Sequence, residues 1–267
     1  MQTILDLISN ATMQAWIWGP LMGVLFGVIF AGVTNPPTVN EPVTVIQTTQ
    51  KFITNNVVVN QQRSGNTSDS GGAGAILIAM ALGGIFLVWK YAIHVELIHY
   101  SLWALLTTLL SFGLTTALVS LFKGQFTSNS WGIYIVAPMA ILAGCGRLLV
   151  LAKDSFNPKL TELAAQHAFF DFYMNSLSAY GRSLVICQMF GMVLIFLVMI
   201  CTGVALLHYL SLMNQRSYGP LRGLWMFLTR VTMFFSGKSW FLLLVGGLVL
   251  SYLLIEPGSI PTWITQE

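Results

Sequence analysis

The sequence predicts an all-α polytopic integral membrane protein: about six transmembrane helices, one extramembrane amphipathic helix, and a long loop after the first span with β-strand character. Three observations carry this. Of 267 residues, 55% are hydrophobic and only 8% charged, where an ordinary soluble domain carries about 25% charged residues. Apolar runs near the ~20 residues needed to cross a bilayer core recur along the chain. Within the first run, Gly19, Gly23, Gly27 and Ala31 follow one another at four-residue steps.

The net charge of +3, from 12 basic and 9 acidic residues, is too small and too dispersed for a nucleic-acid surface. No tract of Lys and Arg is long enough to make a headgroup patch. Cys145, Cys187 and Cys201 all lie in apolar stretches, with neither a disulfide framework nor metal-ligand spacing.

Residues 1–33 form the N-terminal segment and the first span, Ala15–Val33. A four-residue step keeps the ladder on one slowly drifting helix face. It is flanked by Trp16, Trp18, Leu21, Met22, Leu25, Phe26, Ile29 and Phe30. A strip without side chains lets another helix, in this chain or in a copy of it, approach closely in lipid. A signal peptide cleaved near Ile29 and Ala31 is the rival reading. Against it, residues 1–14 carry Asp6 and no Lys or Arg.

Residues 34–73 form a Thr-, Asn- and Val-rich arm, opened by Asn35-Pro36-Pro37 and including Val57-Val58-Val59. That composition favours short strands or an extended arm that pairs with a neighbour, or a mobile linker. Asn66-Thr67-Ser68 matches a glycosylation triplet.

Residues 74–152 hold spans two to four: Gly74–Trp89, Leu102–Phe122 and Trp131–Ala152. Ala75, Ala79 and Gly83 give the second span a small-residue face like that of the first. Residues 153–182 form the extramembrane helix, with Asn157 as N-cap and Pro158 in the first helical position. Its apolar residues cover more of the circumference than a solvent-facing helix needs. Phe169, Phe172 and Tyr173 are therefore expected to dock a partner or the membrane domain.

Residues 183–267 add Ser183–Leu210 and Phe241–Ile255, the latter with Trp240 and Tyr252 as interfacial anchors. Between them Leu224–Phe235, interrupted by Arg230 and preceded by Arg222, reads as an interfacial helix. Counting it as a span makes seven. With six spans, seven basic residues fall on one side and five on the other, and a seventh span reverses the balance.

The densest polar cluster is Lys90, His94, Glu96 and His99. Glu96 and His99 have the i, i+3 spacing of a di-iron helix, but such a site needs a second copy of the motif and two further glutamates. Glu162 and His167, five residues apart, do not repeat it. No metal or other cofactor is expected, and the cluster reads as a polar connection at headgroup level. Arg147, inside the fourth span after Pro138, either snorkels to the interface or is buried and functional. Gln188, Thr202 and His208 supply polar contacts in the fifth span. Thr107, Thr108, Ser111, Thr115 and Thr116 make a hydroxyl stripe that either lines a narrow pore or bonds its own helix carbonyls.

No hydrolase elbow, zinc-protease motif or phosphate loop is present, and no acidic residue lies in the middle of a span. The expected function is thus a non-enzymatic, membrane-embedded subunit of an oligomeric or multiprotein envelope assembly, of secretion, conjugation or defence type. Its partners would be the bilayer, its own copies and other membrane or peripheral subunits, with no nucleic acid. Its place would be the bacterial inner (plasma) membrane. An oligomeric channel using Arg147, Gln188, Thr107 and Ser111 is the main alternative. A membrane enzyme with a site at His94, Glu96 and His99 is a distant third.

Overall fold

The computed structural model describes residues 14–32, 70–122, 129–214, 222–235 and 237–265. It is all-α, with no strand among the described residues. The loop expected to carry strands falls almost wholly outside them. Helix α1 is Gly19–Gly32, entered through a π-helical turn, Gln14–Trp18. Pro20 explains that turn: it lacks an N–H, and its ring crowds the carbonyl four residues back, so the preceding turn widens.

Helix α2 is Ser70–Phe122, 53 residues long, with non-helical dihedrals at His94 alone (φ −106°, ψ 17°). Two expected spans, Gly74–Trp89 and Leu102–Phe122, are therefore halves of one kinked helix. Residues 90–101 are polar in places but contain no Gly or Pro, so nothing in the backbone stops the helix. Helix α3 is Asn129–Ser155, with Pro138 inside it. Helix α4, Lys159–Gln166, is followed by the short turns Phe169–Asp171 and Phe172–Ser176. Helix α5 is Ala179–Asn214. Helix α6, Arg222–Thr232, ends in a 3₁₀ turn, Met233–Phe235. Helices α7, Lys238–Ile255, and α8, Ile260–Thr265, close the chain.

The core lies between α2, α3, α5 and α7, around Leu106, Leu142, Cys145, Leu149, Ile195, Met199 and Leu244. Close approaches fix the directions. Tyr91 meets Phe156 ring to edge at 6.4 Å, and Gly146 lies under Leu106, so α3 runs antiparallel to α2. Tyr134 stacks on Tyr209 at 5.9 Å while Gln188 bonds Ser155, so α5 runs antiparallel to α3. Gly191 meets Ile255 and Gly247 meets Val198, which makes α7 antiparallel to α5.

Among the described residues three helices are long and apolar enough to cross a membrane: Leu82–Phe122, Tyr134–Ser155 and Ala179–Leu212. A fourth is reached if Gly223–Phe235 and Ser239–Ile255, bent by 57°, count as one broken span or a re-entrant loop. Trp16–Ile29 is a shorter apolar helix. The described residues thus give three or four such helices and do not support six.

Candidate functional site

The glycine ladder and the hydroxyl stripe, on separate segments of the sequence, meet each other. A Cβ on Gly19 would fall 2.9 Å from the Ala104 carbonyl oxygen, and one on Gly23 2.7 Å from Ser111 Cβ and 2.9 Å from the Phe112 nitrogen. One on Gly27 would fall 2.7 Å from Thr115 Cβ. The three glycines are buried, while Trp16, Leu21, Met22, Leu25, Phe26 and Ile29 point outward. The order 19, 23, 27 against 104–108, 108–112 and 112–115 shows that α1 runs parallel to the second half of α2. Thr107 and Thr108 turn their hydroxyls onto the Ala104 carbonyl at 3.0 and 2.7 Å. Their polarity is spent on their own helix and the surface offered to α1 is smooth. A pore lined by Thr107 and Ser111 is therefore not open along this face of the chain. Ala31, Ala75 and Ala79 lie in helices α1 and α2, and Gly83 has open space around it. Among the described residues the second span's small-residue face thus has no packing partner at Gly83.

The segment expected to dock a partner docks within the chain. Phe172 is fully buried with Ala92, Ala164 and Leu177, and Leu163 and Tyr173 pack around them. Phe169 meets the edge of Phe86 at 6.1 Å. Trp89 Nε1 donates to the Ala164 carbonyl at 2.8 Å and to the His167 carbonyl at 3.2 Å, holding the end of α4 on α2. Asn157 Oδ1 accepts from the Lys159 amide at 3.1 Å just before α4, whose N-cap position is Pro158 rather than the expected Asn157. Arg182 then donates to the carbonyls of Met174 and Leu177 at 2.7 and 3.2 Å, neutralising the exposed end of the last turn. Asp171 accepts from the Asn175 amide at 2.7 Å and from His167 Nδ1 at 2.8 Å. The Asn175 amide foremost, and His167 after it, hold that carboxyl below its ordinary range despite partial burial.

His94 and Glu96 are exposed, whereas His99 is buried and its Nε2 accepts from Trp103 Nε1 at 2.9 Å. The three do not converge. Among the described residues no group of three His, Cys, Asp or Glu is placed to hold a metal ion. Arg147 is exposed on α3, in a stripe with Val136, Ala140 and Ala143, whereas Gln188 is fully buried on α5. Gln188 Nε2 donates to Ser155 Oγ at 2.9 Å, and its Oε1 has no partner. These two residues do not share a path. Beside the Arg147 stripe, α3 and α7 leave an apolar groove of about 500 Å³ lined by Ala137, Ala140, Ile141, Phe241, Leu242, Val245 and Leu248.

Sequence reasoning missed Trp89, whose role needs carbonyls 75 and 78 residues away. It also missed Trp225, which is buried on α6, the helix that packs on α5. His208 Nδ1 lies 2.9 Å from Thr232 Oγ1, whose own proton goes to the Leu228 carbonyl at 2.6 Å. The hydroxyl therefore accepts from Nδ1, which fixes the histidine tautomer.

No family model, curated protein or solved structure matches the chain.

Proposed function

We propose that this chain is a non-catalytic, membrane-embedded subunit of a larger assembly, and that it receives a neighbouring apolar helix in the groove between α3 and α7. The observation that carries this is the groove itself, an apolar trough with Ala137 and Ala140 on its α3 side, left open beside an exposed stripe that ends in Arg147. Among the described residues the α1 ladder is filled by α2, and Gly191, Gly203 and Gly247 are each covered by a leucine, isoleucine or valine side chain, whereas Gly83 and Gly246 are left open like the groove. Close approach of small residues is also what holds helices together where water supplies no driving force. Membrane embedding is supported by an inverted arrangement of polarity. Gln188, Thr202, His208, Ser211 and Ser251 are buried, while Phe190, Val193, Phe196, Leu242 and Val249 face outward. The bacterial inner membrane fits this reading, as do envelope machines of secretion, conjugation or defence type, by architecture alone.

The test is crosslinking in intact membranes from Ala140→Cys and Val136→Cys. Crosslinks to a second copy or to one co-expressed membrane subunit, abolished by Ala140→Trp, support the reading. Complete alkylation of both positions with no crosslink at either overturns it. Ion flux through reconstituted vesicles, blocked by modification at Ala140→Cys, would replace it with a pore formed between copies.

A further inference from the structure

The sequence holds no run of basic residues, yet the fold assembles a basic end. Because α2, α3, α5 and α7 alternate in direction, the last turns of α2 and α5 share one end of the bundle with the first turns of α3 and α7. Tyr134, in ring contact with Tyr209 at 5.9 Å and with Phe241 at 6.1 Å, marks that end. Helix α6 is held there, with Trp225 buried and His208 Nδ1 donating to Thr232 Oγ1 at 2.9 Å. Arg222 and Arg230 lie on α6, and Lys238 opens α7. Among the described residues no carboxylate occurs at this end. At the opposite end Lys90, Arg147, Lys153, Lys159 and Arg182 are equalled in number by Glu96, Asp154, Glu162, Asp171 and Glu256. One end is cationic and the other is balanced.

The outer face of α6 is apolar. Leu224, Phe227 and Val231, at steps of three and four, are exposed, as is Phe234 in the 3₁₀ turn beyond them; Phe227 is 62% and Phe234 76% exposed. Arg230 is exposed three positions after Phe227, so a cation stands beside that face. The bend of 57° between α6 and α7 leans α6 away from the bundle axis, across the cationic end.

We propose that α6 lies in the headgroup layer of a leaflet containing anionic lipid, with its outer face in the acyl chains and Arg222, Arg230 and Lys238 at the level of the phosphates. This rests on the membrane-embedded reading above. Charge complementarity selects the occupant. An apolar face alone suits any hydrocarbon; a helix that joins such a face to cations, with no carboxylate to offset them, suits a lipid whose headgroup is an anion. A second copy fits poorly, because a symmetric contact through α6 sets cations against cations.

The experiment uses the full chain, reconstituted into vesicles of phosphatidylcholine and phosphatidylglycerol, with Phe227 replaced by a benzophenone analogue of phenylalanine. On illumination the analogue should couple to lipid, with phosphatidylglycerol enriched at least severalfold over its bulk share at low salt and less so as salt screens the charges. Arg222→Gln with Arg230→Gln and Lys238→Gln should return the ratio to the bulk value. Arg230→Lys, which keeps the charge, and Lys90→Gln with Lys159→Gln, at the opposite end, should both preserve the enrichment. The same analogue at Phe196 reports embedding and folding in every variant. Coupling to lipid at 196 together with bulk-ratio lipid, no lipid or a second copy at 227 overturns this proposal and leaves the embedded reading standing. Absence of lipid coupling at both positions overturns the two together.

Discussion

Gly23→Ala isolates the consequence of one methyl group at the tightest glycine contact among the described residues. The new Cβ would lie 2.7 Å from Ser111 Cβ and 2.9 Å from the Phe112 nitrogen, and the second of these is backbone that no rotamer change can move. Restoring ordinary contact near 3.5 Å pushes α1 outward by roughly 1 Å, which also loosens Gly19 and Gly27. Overpacking of this kind costs about 1–3 kcal/mol. Opposing it, alanine improves helix propensity over glycine by up to about 1 kcal/mol. The contact dominates, so the variant is destabilised, and Gly23→Leu more so. Gly83→Ala is the matched control, because nothing lies within 4 Å of its added Cβ; it should be neutral or slightly stabilising. The assay is retention of the N-terminal helix after cleavage between residues 33 and 69 in mild detergent. Wild type and Gly83→Ala should keep the fragment, Gly23→Ala should lose part of it, and Gly23→Leu nearly all. Equal retention in all four would refute the intramolecular packing argument.

Two further outcomes are expected. Ser155→Ala strips Gln188 of its one hydrogen bond in a fully buried position, at a cost of about 1–3 kcal/mol; Gln188→Met removes the orphaned group at similar volume and should be close to neutral in thermal unfolding. The reverse order of stabilities would show that water or another chain reaches Gln188. Asp171 has its folded pKa depressed below the ordinary 3.8. Its contribution to docking of 159–177 is therefore complete above that value and fades as pH falls through the depressed one. Amide protection in that segment, taken relative to intrinsic exchange at each pH, should be flat from neutrality down to about pH 5 and fall in more acidic buffer, and Asp171→Asn should abolish the fall.

What could be read from the sequence was the set of faces, and what could not was their pairing. Periodicity places Gly19, Gly23 and Gly27 on one line, and Thr107, Ser111 and Thr115 on another. Neither pattern says that each is the other's surface, because that fact joins residues some 90 positions apart. The division of α2 into two spans was misjudged for a physical reason. Lys90, His94 and Glu96 lower hydropathy, but polarity does not end a helix; only the backbone does, and it has no breaker between 90 and 101. The wide apolar circumference of Pro158–Tyr180 did announce burial, yet the segment folds as a short helix and two turns under Trp89 rather than as one helix. Arg147 was legible as exceptional in its span, and its exposure places it on the outer surface.

Phe196→Lys separates a membrane bundle from an aqueous one, because the two settings give it opposite signs. Phe196 lies near the middle of α5, exposed in a band with Val193, Leu197 and Ile200, and no described helix covers it. In water an exposed phenylalanine contributes little to folding, so a lysine there would leave stability nearly unchanged and raise solubility. At the centre of a lipid-embedded helix the same lysine costs about 2.5–3.5 kcal/mol of insertion free energy. From this position it is also far from either helix end, so snorkelling recovers little. The buried side of α5 strengthens the case for lipid: Thr202 bonds the Val198 carbonyl and His208 bonds Thr232, so the polar groups are satisfied inward. The expected result is loss of Phe196→Lys from the carbonate-resistant membrane fraction and rapid degradation, whereas Phe196→Leu behaves as wild type. A stable, detergent-independent Phe196→Lys protein would show that the outward apolar band faces water rather than lipid.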